Sequence, residues 1–74
     1  MRTKVLDTYY AGKDGQNGKV EICINYKEEI FYLQYYDNVG HKFFTEEFPN
    51  KSLRYVEDAA ENWCLGIKKL DEAL

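Results

Sequence analysis

The 74 residues fit one domain near the lower size limit at which a single apolar core holds a chain together without metals or disulfides, and they leave no room for a second lobe or a sizeable substrate pocket. Thirteen acidic against ten basic side chains give a net charge of −3, and Arg2, Lys4, Lys13, Lys19, Lys27, Lys42, Lys51 and Arg54 are scattered ahead of one pair, Lys68 and Lys69. Without a basic stripe to neutralise phosphates, direct nucleic-acid binding and anionic membrane surfaces are disfavoured.

The opening segment, MRTKVLDTYY, contains no apolar run of signal-peptide length, and no stretch approaches the ~20 apolar residues of a membrane span, so a soluble, cytoplasmic protein is expected. Cys23 and Cys64 form no CxxC pair and fall short of a disulfide framework, which suits two reduced thiols in that compartment. Residues 3–10 are rich in Val, Thr and Tyr and can pair, as a first strand, with residues 19–26 across the glycine-rich segment AGKDGQNG at 11–18. That segment spaces Gly12, Gly15 and Gly18 three apart, but it lacks the Gly-Lys-Ser/Thr of a phosphate loop and leads into a strand, so it reads as a hairpin loop.

Alternation marks 19–26, where Val20, Ile22, Ile24 and Tyr26 share one face and Glu21, Cys23 and Asn25 the other. A third strand at 30–36 carries four aromatic rings between Phe31 and Tyr36. A fourth at 41–48 follows Asp37-Asn38-Val39-Gly40, whose Asn38 and Gly40 suit a tight turn. Short connections imply antiparallel neighbours. Pro49 ends the last strand, and Ser52 or Asn50 caps a helix over about 53–73, on which Val56, Ala59, Ala60, Trp63, Ile67, Leu70 and Leu74 fall within roughly 100° of one another. The expected fold is therefore α+β. A three- or four-stranded antiparallel meander carries one carboxy-terminal helix on one face, with the other face uncovered.

The chemistry-bearing residues are few. His41 is the only histidine and stands at a turn; neither a metal-ligand cluster nor a nucleophile with an orienting acid shows at an informative spacing, so no enzyme activity, metal or cofactor is expected. If Phe31, Leu33 and Tyr35 join Val20, Ile22 and Ile24 under the helix, Tyr32 and Tyr36 point to the other side, and so does one of the adjacent Phe43 and Phe44. Outward rings either stabilise a wet sheet face by ~0.2–1 kcal/mol per cross-strand pair or serve a partner, a role that suits tyrosine. Glu57, Asp58 and Glu61 in the first helical turns either answer the helix dipole or, with Glu46 and Glu47, present negative charge to a basic partner.

The run from Tyr32 to Trp63, with its aromatic strand, Asp37-Asn38-Val39-Gly40 turn, Lys42-Phe43-Phe44 strand and EDAAENW helix opening, resembles the three-stranded-sheet-plus-helix domain at the amino end of phage and transposon tyrosine integrases. Where those domains carry Lys and Arg to read DNA, this chain has Gln34, Thr45, Glu46 and Glu47, and it inserts PNKSLRY before the helix. In size, charge and architecture it also resembles the small inhibitors of phages and mobile elements, anti-CRISPR proteins among them. That resemblance implies a non-enzymatic module that occludes a nucleic-acid-binding host protein. Tyr32, Tyr36, Phe43, Glu46 and Glu47 are the expected partner-binding residues, with Glu57, Asp58 and Glu61 as a second patch. The alternatives are a single-stranded nucleic-acid binder that stacks bases on the same rings and a homodimer that buries them.

Overall fold

The structure, a computed structural model, describes residues 2–66, the side chain of Asp14 apart. Strands β1 (Thr3–Tyr10), β2 (Lys19–Asn25), β3 (Ile30–Tyr36) and β4 (Lys42–Phe48) form one antiparallel sheet in sequence order, and helix α1 (Leu53–Cys64) packs on one face of it. The meander is four-stranded, since the Val- and Tyr-rich first segment does pair with β2.

The register assigns each side chain to a face. Val20 lies beside Tyr35, and Ile22 beside Leu33; with Val56 and Ala60 of α1 these four are fully buried. Burying aliphatic and aromatic side chains of this size contributes about 1.5–3 kcal/mol each. Ala59 and Ala60 let the helix approach the sheet closely. Trp63 packs at its margin, half-buried and edge-on to Tyr35 at 5.0 Å between ring centroids. The helix lies chiefly over β2 and β3. Beyond it stands β4, whose residues are exposed or half-buried until Phe48 turns under Tyr55.

Two bulges shift the parity of the outer strands. Val5 pairs with Cys23 but Asp7 with Ile22, so Leu6 is an extra residue, and Thr3 and Val5 point to the face opposite Asp7 and Tyr9. In β4, Phe44 pairs with Tyr35 and Lys42 with Tyr36, which leaves Phe43 as the extra residue.

Local chemistry sets the connections. Gly18 holds φ +107°, and a Cβ there would collide with the Tyr36 carbonyl oxygen, so only glycine lets the 11–18 loop return against β3. The loop itself is a short 3₁₀ turn, Lys13–Gly15, rather than an irregular link. At the β3–β4 turn Gly40 takes the positive φ and Asn38 does not; Asp37 Oδ1 accepts from the amides of Val39 (3.0 Å) and His41 (2.8 Å). Ser52, not Asn50, caps α1, with its Oγ accepting from the Tyr55 amide at 3.2 Å. The helix closes at Cys64, where the Gly66 amide reaches back to the Trp63 carbonyl. The expected continuation to residue 73, with Ile67, Lys68, Lys69, Leu70 and Leu74, lies outside the described residues.

Candidate functional site

Among the described residues nothing covers the face of the sheet opposite α1, the open face. Its centre is nevertheless not bare. Cys23 is 1 % exposed although no second layer lies over it, because its cross-strand neighbours Val5 and Tyr32 and the diagonal Gln34 lean across it. Gln34 Nε2 donates to Cys23 Sγ at 3.4 Å, and burial pushes the thiol above its ordinary value, so the sulfur stays protonated and is a poor nucleophile.

Toward the loop end, the Tyr36 hydroxyl donates to Glu21 Oε1 at 3.0 Å with Gln34 Oε1 at 3.4 Å on its other flank. Lys19 Nζ sits 3.7 Å from Glu21 Oε2 and 4.9 Å above the Tyr36 ring. Burial first, and the Glu21 carboxylate second, raise the Tyr36 phenol above its ordinary value. Lys19, Glu21 and Tyr36 therefore hold one another in fixed positions, although an ion pair this open to solvent on its Lys19 side adds only about 0–1 kcal/mol to stability.

Toward the opposite end, Thr3, Lys4, Val5, Tyr26, Tyr32 and Gln34 line a shallow groove of about 520 Å³. Val5 is 46 % and Tyr26 49 % exposed at its margins, while burial lifts the half-buried Tyr32 phenol. The groove is the part of the open face where apolar surface meets water without an internal partner for it.

The expected partner-binding residues divide between the two faces. Tyr32, Tyr36 and Glu47 are on the open face; Tyr32 and Tyr36 are half-buried and networked rather than protruding. Phe43 is exposed as expected, but the bulge swings its ring to 6.4 Å from Tyr35, at the rim of the roofed side. Glu46 pairs with Leu33 and so also belongs to the roofed side, where its Oε1 accepts from the buried Tyr35 hydroxyl at 2.8 Å. That phenol is held far above its ordinary value, first by burial and then by the carboxylate.

Glu57, Asp58 and Glu61 follow the first turn of α1, which contains no acid, so the dipole effect, confined to that turn, does not account for them. Together with Asp7 they lie on the Tyr9 side of the sheet, where the Tyr9 phenol is raised by burial and then by these four carboxylates. The acidic patch therefore lies along the β1–α1 seam, on the far side from Tyr32. His41 is exposed at its turn, 4.0 Å from the Asp37 carboxylate. Among the described residues no three His, Cys, Asp or Glu side chains come together to hold a metal ion, and no helix is long and apolar enough to cross a membrane.

Sequence reasoning missed Thr3, Val5, Tyr26 and Gln34 as groove residues and Asp7 as a member of the acidic seam. Pairing β1 with β2 would have placed Thr3 and Val5 beside Asn25 and Cys23, but the Leu6 bulge that sends Asp7 and Tyr9 to the other side has no sequence mark. Tyr26 follows the alternation of β2 on paper; in the structure it lies past the strand end and lines the groove instead. No family model, curated protein or solved structure matches the chain.

Proposed function

We propose that this chain is a non-enzymatic protein-interaction module that grips its partner with the groove end of the open face, and that it acts, like the small phage and mobile-element inhibitors it resembles, by occluding a nucleic-acid-binding host protein. The observation that carries the reading is the groove itself. Exposed Val5 and Tyr26 flank a half-buried Tyr32 on an uncovered sheet face, with Thr3, Lys4 and Gln34 adding polar groups, a mixture that suits a contact surface. Beside the groove Cys23 is a buried thiol that Gln34 bonds, while Lys4 stands exposed among the lining residues. The acidic seam at Asp7, Glu57, Asp58 and Glu61 supports a basic partner, for which it supplies steering more than grip.

The test is affinity capture from host lysate with the wild type, a Tyr26→Ala/Tyr32→Ala variant and a Glu57→Gln/Asp58→Asn/Glu61→Gln variant. The groove variant loses the captured protein while keeping its circular dichroism; the seam variant retains it, with slower association at low salt. Retention by the groove variant sinks the reading. Occlusion is read separately, as loss of nucleic-acid binding by the captured protein once the complex forms.

A second reading draws on Lys19 and Lys42, which flank Tyr36 on the open face and offer a cationic, aromatic platform to single-stranded bases. Glu21 and Glu47 match these cations one for one, which weakens it. Titration of labelled oligonucleotides at two salt concentrations decides: phosphate-driven binding falls steeply with salt, and no binding at low salt excludes it.

A further inference from the structure

We propose that the outer edge of β4 is a self-association site, and that its occupant is β4 of a second copy of this chain, paired antiparallel about a two-fold axis through Thr45. Among the described residues β4 pairs only with β3, and the helix barely reaches it, so its outer backbone edge and the rings of Phe43 (52 % exposed) and Phe44 (37 % exposed) face water. An uncovered strand edge with large apolar side chains is a template for a further strand.

The occupant is identified by the order of charges along the strand. Counted against β3, the positions of β4 run Lys42, Phe44, Thr45, Glu46 and Glu47 opposite Tyr36, Tyr35, Gln34, Leu33 and Tyr32, with bulged Phe43 out of the count. An antiparallel copy centred on Thr45 then sets Thr45 against the partner's Thr45, Phe44 against the methylenes of the partner's Glu46, and Lys42 against the partner's Glu47. Lys42 and Glu47 both point to the open face, so the two-fold gives two facing opposite-charge pairs, with a Thr–Thr pair between them. Without the bulge Lys42 would fall one place further out and miss Glu47; an irregularity of the kind that blunts strand edges here brings the charges into register. The result is one continuous sheet of twice four strands, with both open faces on the same side.

The other edge lacks this opportunity. In β1 the bulge at Leu6 interrupts the middle of the strand, and the Thr8 amide already donates to Asp7 Oδ1 at 2.8 Å.

The proposal concerns the purified chain alone and stands or falls apart from the groove reading. Sedimentation velocity over a concentration series compares the wild type with Lys42→Glu, Glu47→Lys, the double swap Lys42→Glu/Glu47→Lys, and the control Lys27→Glu, which reverses an exposed charge outside β4. The wild type, the control and the double swap self-associate alike, whereas each single reversal weakens association by about tenfold or more, because two attractive pairs become two repulsive ones. Mixing the two single variants restores association, since each then faces the opposite charge. A wild type that stays monomeric throughout the series, single reversals that associate normally, or a mixture that fails to associate overturns the proposal.

Discussion

The roofed face and the open face are built from the same two central strands, yet they exclude water by different means. Under the helix, Val20, Ile22, Leu33, Tyr35, Val56 and Ala60 are sealed by close packing of two layers. On the open face, Cys23 reaches nearly the same burial with no second layer, under Val5, Tyr32 and a Gln34 that bonds the thiol, while nearby Glu21 ties Tyr36 to Lys19. Packing carries most of the stability in the first case. In the second, side chains are held in place at little net gain, and a surface is kept that is ordered before any partner arrives, so less entropy is lost on binding. The cohesive face of this fold and the face proposed for recognition thus meet at a single sheet, on alternate residues of its two central strands.

The difference can be broken most forcefully from the roofed side. Leu33→Ala removes a fully buried side chain from the centre of the two-layer contact and is expected to cost about 2–5 kcal/mol in denaturant unfolding, enough to unfold a domain this small. Thr45→Ala, on the open side of the neighbouring strand, should stay within about 0.5 kcal/mol of the wild type. Equal costs would dissolve the contrast. Gly18→Ala is expected next in size, roughly 1–3 kcal/mol, because a positive φ and the Tyr36 carbonyl both oppose a Cβ there.

Tyr35→Phe sharpens the contrast through pH. The Tyr35 phenol is raised in the folded state above its ordinary 10.0, so its contribution is fully present below about pH 10 and is lost as the pH climbs toward the folded value. The variant should lose roughly 1–3 kcal/mol at neutral pH with the bond to Glu46, and its stability should fall less steeply above pH 10. An unchanged alkaline slope would show that other phenols govern it, with Tyr9, Tyr32 and Tyr36 the candidates because each is raised as well. Apart from the near-neutral Thr45→Ala, the smallest energetic effect is expected for Tyr32→Ala, about 1 kcal/mol, but with a kinetic signature. In a Cys64→Ser background, Cys23 should be almost inert to a thiol reagent until Tyr32 is removed, and then react many times faster.

Much of the fold was legible in the chain. Alternation in KVEICIN put Val20 and Ile22 on the core side, the Asp37–Gly40 turn and Pro49 bounded β4, and the Val56, Ala59, Ala60 and Trp63 spacing announced the helix. The candidate site was less legible because it depends on parity. Two single-residue bulges, at Leu6 and Phe43, invert which side chains face which way, and neither has a local sequence signature. Thus Phe43 lies at the rim of the roofed side; Glu46 lies there too, but by plain alternation with Glu47, while Val5 went unnoticed and Tyr26 was placed with the core face. Tyr32 and Tyr36 were placed correctly by face, but their burial comes from cross-strand neighbours whose register a period of two cannot supply.

Tyr26 and Tyr55 offer matched reporters for the two sides, being 49 % and 51 % exposed, one on the groove and the other on the helix. The most direct test of recognition by the open face is tetranitromethane nitration of the chain, free and in complex with its captured partner, with the modified tyrosines mapped by mass spectrometry. Protection of Tyr26 with Tyr55 modified as in the free protein is the predicted result. Protection of Tyr55 with Tyr26 still fully reactive would contradict the account and move the contact to the helix side.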